Sequence, residues 1–154
     1  MSELKILMVC LGNICRSPLA HGILQHKVNQ RNLDWEVESC GTSSFHVGEG
    51  PDPRSVKTAK ENGIDISRQR SLQFDKSYFG IYDHILVMDA SNYRDVMHQA
   101  ESKSEKDKVK LIMNYLHKDE NRQVPDPYYG GGFQMVYDML DAAIDKFIEE
   151  HDPS

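Results

Sequence analysis

The spacing of apolar positions changes from segment to segment along this chain. Leu4 to Val9 is a nearly continuous apolar run ending at Cys10, the pattern of a strand covered on both faces. After a stretch containing Gly12 and Asn13, Ser17-Pro18 reads as an N-cap and first helical position, with Leu19, Ile23, Leu24 and Val28 on one helical face. Trp35 to Ser39 predicts a second strand, and Asp52-Pro53 opens a helix through Val56 and Ala59 that Gly63 terminates. Ile81 to Met88 predicts a third strand. Asp89-Ala90-Ser91 then caps a helix whose stripe is Tyr93, Val96, Met97 and Ala100. Glu101 to Lys110 is an aperiodic charge run, Val109 to Met113 a weaker fourth strand, and Pro125 to Gly132 a loop punctuated by proline and glycine. Phe133, Val136, Tyr137, Leu140, Ile144, Phe147 and Ile148 keep helical spacing to the end, with Asp138, Asp141, Asp145 and Glu149 outside the stripe.

Strands alternating with helices predict an α/β fold. The expectation is one three-layer domain over residues 1–154, with a four-stranded parallel sheet flanked by helices on both faces. Ligands of such sheets bind beyond the carboxyl ends of the strands, where the loop after Cys10 lies. No repeat, low-complexity tract or linker interrupts the pattern.

Composition narrows the function. With 18 Lys and Arg against 24 Asp and Glu, a net charge of −6 argues against nucleic acid or an anionic membrane as a partner held on a broad basic surface. Any anion must be held by a local device. No apolar run approaches the roughly 18 residues of a membrane span, so a cytoplasmic protein is expected. Three cysteines cannot close a disulfide framework and are expected to be free, catalytic or redox-active thiols. Of seven histidines only His21 and His26 are close neighbours, and five residues apart on a helix they share no face, so they offer no paired metal ligands; no cofactor is called for by the sequence.

The stretch Cys10-Leu11-Gly12-Asn13-Ile14-Cys15-Arg16-Ser17 carries the chemistry. A loop running from a strand into a helix N-terminus turns several backbone N–H groups toward one point, and the positive end of the helix adds to their attraction for an anion. Gly12 allows close approach of the backbone, and Arg16 can close the ring with a fork on two phosphate oxygens. The same field favours a thiolate at Cys10. Nucleophile and oxyanion cradle share one site.

Cys-x5-Arg-Ser is the signature of cysteine-dependent phosphatases, and Val9 to Pro18, so near the start of the chain, resembles the low-molecular-weight protein tyrosine phosphatase family. Asp126-Pro127-Tyr128-Tyr129 matches that family's late acid loop, and Pro51-Asp-Pro-Arg54 and Met88-Asp-Ala-Ser-Asn92 extend the resemblance over essentially the whole chain. The resemblance implies Cys10 as nucleophile, Arg16 as phosphate clamp and Asp126 as general acid and base, with the loop from Leu11 to Ser17 binding phosphate and needing no metal. Asn13 and Ser17 match residues that shape the loop, and a Ser17 hydroxyl directed at the Cys10 sulfur would stabilise the thiolate. Phe45, Tyr128 and Tyr129 are expected to form an aromatic slot for phosphotyrosine, and Ser39 to support Asn13 from behind. Implied partners are a phosphotyrosine protein substrate and, by analogy alone, a cognate tyrosine kinase; a monomer is the expected state.

Other readings stay open beside it. Cys15 packs behind the loop or pairs reversibly with Cys10, as the family is known for. Cys40 reads as a structural thiol, and Tyr93 and Tyr137 as core. An arsenate reductase on the same scaffold would need further cysteines after the third strand, and none follows Cys40. A phosphotyrosine-binding adaptor would have no use for a positioned acid. Finally, in Ser67 to Leu72 the sequence departs from the family: Arg68 and Ser71 stand where many members have a His followed shortly by Ala-Arg-Gln, so the usual hydrogen-bond support of the phosphate loop is not expected from this segment, and Arg68 or Arg70 is the expected replacement.

Overall fold

The computed structural model describes residues 3–152, so the expected domain of residues 1–154 extends at both ends beyond the described residues. Strands β1 (Leu4–Cys10), β2 (Trp35–Gly41), β3 (His84–Val87) and β4 (Val109–Leu111) form one parallel sheet in the order β2-β1-β3-β4. Ile6 faces Val37 on one side and His84 on the other, and Ile85 faces Val109.

Helices cover both faces because the strand residues alternate between them. Ile6, Met8, Leu86 and Met88 pack on one face against helices α1 (Arg16–Gln30), α2 (Pro53–Glu61) and α6 (Phe133–His151). The α6 residues Phe133, Val136, Tyr137, Leu140, Ile144, Phe147 and Ile148 are all buried, so the apolar stripe is the docking face. Leu7, Val9, Ile85, Val87 and Val109 pack on the other face against Val96 of α3 (Ala90–Gln99) and against Phe74 and Phe79 around a 3₁₀ turn at Lys76–Gly80.

Several boundaries differ from expectation. The third strand begins at His84 rather than Ile81, because Phe79 and the flanking Tyr78 and Tyr82 serve the 3₁₀ turn that packs on the sheet. One-turn helices α4 (Lys103–Lys106) and α5 (Pro127–Gly130) form inside segments read as loops, capped by Ser102 and Asp126. The fourth strand stops at Leu111 and continues as a 3₁₀ turn, Ile112–Tyr115.

The order of strands fixes where a site can form. From β1 the chain crosses to β2 on one side, and later returns to β3 on the other side of β1. A crevice therefore opens beyond the carboxyl ends of β1 and β3, at the points where Cys10 and Asp89 leave the sheet.

Candidate active site

Cys10 ends β1 with 2% of its surface exposed. The loop it opens turns back on Gly41 of the neighbouring strand so closely that a Cβ there would lie 2.6 Å from Leu11 O and 3.0 Å from Asn13 N. Asn13 adopts φ = 56°, a left-handed conformation that a side chain normally avoids but Asn tolerates. It is held at both ends: Nδ2 donates to Ser17 Oγ at 2.7 Å, and Oδ1 accepts from Leu72 N at 3.0 Å.

The expected helix cap at Ser17 is two residues late. Helix α1 begins at Arg16 with Cys15 in the N-cap position and no side-chain cap, which leaves its first N–H groups free for a ligand. Ser17 is committed elsewhere. Its oxygen accepts from Asn13 and lies 3.0 Å from Cys10 Sγ, and its hydroxyl is also within donating distance of Cys40 O at 3.4 Å. Since Asn13 occupies an acceptor position, the hydroxyl's one proton has two acceptors in reach, Cys40 O and the nearer sulfur, and pointed at the sulfur it would stabilise a thiolate.

Arg16 is 2% exposed and already anchored. Its Nη1 donates to Asp89 Oδ2 at 2.7 Å and to Val124 O at 2.9 Å, while Nη2 lies 3.7 Å from Asp126 Oδ2. Burial works against its charge, but the Cys10 sulfur, Asp89 and Asp126 outweigh it and raise its pKa. Val124 N also donates to Met88 O, so a single residue ties the Asp126 loop to the end of β3 and to Arg16.

Asp126 caps α5 by accepting from Tyr128 N at 3.0 Å through Oδ1. The loop that carries it is tethered by Arg54, which binds the Asp52 carboxylate through Nε and Nη2 at 3.1 and 3.0 Å and donates to Tyr128 O at 3.0 Å. These hydrogen bonds hold the Asp52 carboxyl below the usual carboxylate range.

A cavity of about 330 Å³ joins these parts. Cys10, Leu11, Gly12, Ile14, Cys15 and Arg16 line it from the loop after β1, Ser43, Phe45 and His46 from the segment after β2, and Asp126, Tyr128 and Tyr129 from the segment around α5. Phe45 and Tyr129 are 82% and 86% exposed and stand at the mouth. The side chains of Asn13 and Ser17, expected among the binding residues, do not line the cavity; they buttress the loop from behind. Cys15 is buried with Ile14 and Phe133, and burial pushes its thiol up to about 12. Cys40 is fully buried and likewise raised by desolvation.

Two supporting roles need correction. Ser39 Oγ pairs with His21 Nδ1 at 3.1 Å and not with Asn13, because β2 points it at α1. Arg68 and Arg70 are exposed, and Arg70 folds back onto the carbonyls of Ser67 and Gln69. Support from this segment comes instead from Ser71 Oγ, which donates to Gly12 O at 3.1 Å, and from the Leu72 N–H. Asp89, Ser71, Val124 and His46 were not singled out as site residues from the sequence. Asp89 alone had a usable signal, since it directly follows a strand beside β1 at the carboxyl edge.

The model of the family described as low molecular weight phosphotyrosine protein phosphatase matches residues 5–152. The chain belongs to that family. A provisionally named low molecular weight protein-tyrosine-phosphatase of Synechocystis sp. is 44% identical over 144 residues, 91% of each chain. The crystal structure of a protein tyrosine phosphatase from Entamoeba histolytica superposes with a TM-score of 0.89 at 34% identity, covering 96% of both chains. A Drosophila arginine phosphatase matches with a TM-score of 0.90 at 32% identity over 98% of this chain and 99% of that one. As a member of this family the protein is a cysteine-dependent phosphatase. Among the described residues no group of three or more His, Cys, Asp or Glu is arranged to hold a metal ion, and no helix is long and apolar enough to cross a membrane.

Proposed function

We propose that the protein hydrolyses phosphotyrosine, and aryl phosphate monoesters generally, in two displacements at Cys10. The observation that carries this reading is the convergence of Cys10, Arg16 and Asp126 on one cavity. In the first step Cys10 Sγ attacks phosphorus, the bond from phosphorus to the phenolic oxygen breaks, and Asp126 gives its proton to the departing phenolate. Arg16 and the open N–H groups of the loop and of α1 hold the equatorial oxygens as charge develops on them. In the second step water attacks phosphorus, Asp126 takes up its proton, and the sulfur–phosphorus bond breaks to return the thiolate next to Ser17.

Depth favours an aryl ester. Cys10 lies on the floor beneath a rim carrying Leu11, Phe45, Tyr128 and Tyr129, so a long planar side chain reaches the sulfur between apolar walls whereas a short phosphoserine does not. Phosphotyrosine-bearing proteins are the natural substrates on this reading. The test is steady-state hydrolysis of peptides carrying phosphotyrosine, phosphoserine or phosphoarginine, with vanadate as competitor. Preference for phosphotyrosine with vanadate inhibition is expected, and Cys10→Ser should abolish turnover while the fold persists. Preference for phosphoarginine, or turnover by Cys10→Ser, would overturn the reading.

A further inference from the structure

Residues 71 and 72 join three loops around the site. Ser71 N donates to Glu49 O at 2.8 Å and Ser71 O accepts from Gly48 N at 2.9 Å, which ties the segment to the loop bearing Phe45 and His46. Leu72 N holds the Asn13 side chain. The Ser71 hydroxyl, 1% exposed, donates to Gly12 O at 3.1 Å, the hydrogen bond this carbonyl accepts among the described residues.

That last bond controls a direction. In a planar trans peptide the carbonyl of one residue and the N–H of the next point opposite ways, so anchoring Gly12 O outward on Ser71 turns the Asn13 N–H toward the inside of the loop. The arrangement needs such an anchor. Asn13 sits at φ = 56°, and rotation of the Gly12–Asn13 peptide would relieve that conformation while swinging a carbonyl toward the anion site. A hydroxyl on the carbonyl also polarises the N–H at the other end of the same peptide.

We propose that Ser71 is a positioning residue for phosphate capture, its hydroxyl holding the Gly12–Asn13 peptide in the orientation that presents the Asn13 N–H to a bound phosphoryl group. This rests on the phosphatase reading above and assigns the role to Ser71, where Arg68 or Arg70 was expected from the sequence to stand in for the family's usual support. The backbone bonds to Gly48 and Glu49 do not involve the hydroxyl, so Ser71→Ala removes one directional bond and leaves the splice in place.

The experiment compares the parent with Ser71→Ala and Ser71→Thr by vanadate inhibition constant, kcat and KM for an aryl phosphate, and thermal midpoint. Loss of one oriented donor predicts roughly tenfold weaker vanadate binding and a matching fall in kcat/KM for Ser71→Ala, with recovery in Ser71→Thr. A merely structural role would lower the thermal midpoint and the active fraction but leave the vanadate constant of the surviving enzyme unchanged; that result overturns the proposal. If Ser71→Ala does not fold, Ser71→Cys, which keeps a weak donor, is judged by the same vanadate constant. A parent that neither binds vanadate nor hydrolyses aryl phosphate overturns the phosphatase reading and this proposal together, whereas a normal parent with an unaltered variant overturns the proposal alone.

Discussion

Asp89 grips Arg16 at 2.7 Å, and its other oxygen caps α3 by accepting from Asn92 N at 2.8 Å. One carboxylate thus fixes Arg16 to a helix that packs on the sheet. Asp89→Asn keeps an acceptor for the cap but removes the charge facing a buried guanidinium. It is expected to cost on the order of 1–3 kcal/mol of stability and about tenfold in kcat/KM. Asp89→Ala, which also loses the cap, should cost about 1 kcal/mol more. Denaturant unfolding paired with aryl phosphate kinetics checks both, and an Asp89→Asn enzyme with full activity would show that Arg16 needs no anchor.

The elements visible in the sequence are those whose periodicity records burial. The Leu4–Val9 run and the α6 stripe were legible because a two-sided strand and a one-sided helix impose their spacing over many residues. Ser17-Pro18 misled for a local reason. A proline at the third helical position is tolerated in the first turn, and the serine ahead of it spends its hydroxyl on Cys10 rather than on the helix end. Cys10, Arg16 and Asp126 were legible through their motifs, but their supports were not. Ser71 reaches Gly12 across 59 positions and Asp89 reaches Arg16 across 73, and no local pattern encodes such partners.

Two glycines separate folding from catalysis. A Cβ on Gly22 would lie 2.5 Å from Ile66 Cγ2, a clash between α1 and a core side chain away from the cavity. A Cβ on Gly41 would meet the backbone of Leu11, Gly12 and Asn13, which is the phosphate loop itself. Gly22→Ala should lower stability by about 1–3 kcal/mol with little change in KM for the folded enzyme. Gly41→Ala should lower kcat/KM by at least about tenfold even where the protein stays folded, because sub-ångström misplacement of the cradle is costly. Equal kinetic losses in both variants would contradict the assignment.

His21 makes stability depend on pH. Burial lowers its pKa to about 4, although Glu38 Oε1 lies 3.8 Å from Nδ1. The folded state therefore refuses a proton that the unfolded chain accepts below about pH 6.5. The neutral ring's contribution is fully present above that pH and is lost as pH falls toward 4, amounting to about 3 kcal/mol at the lower end. His21→Gln retains an acceptor for Ser39 and does not titrate. The stability difference between parent and variant, from urea unfolding at pH 7.5 and pH 4.5, should shift by about 2–3 kcal/mol against the parent at the lower pH; a constant difference would refute the role of His21.

Asp126 can be tested as a proton donor without disturbing its loop. Its Oδ1 accepts from Tyr128 N, a bond that Asn can also accept, and Arg54 independently holds the Tyr128 carbonyl. Asp126→Asn therefore preserves the α5 cap while removing the proton donor, together with the carboxylate charge 3.7 Å from Arg16 Nη2. With phenols of high pKa, which leave poorly unless protonated, formation of the phosphoenzyme should slow by about 10²- to 10⁴-fold. With phenols of low pKa, whose phenolates leave unaided, the loss should shrink toward unity, so the variant's rate depends more steeply on leaving-group pKa than the parent's. Rapid-quench or burst measurements across a series of aryl phosphates give that slope. Parallel slopes for parent and variant would mean that the carboxylate donates no proton in the step that breaks the ester bond, and would reduce Asp126 to a helix cap beside Arg16.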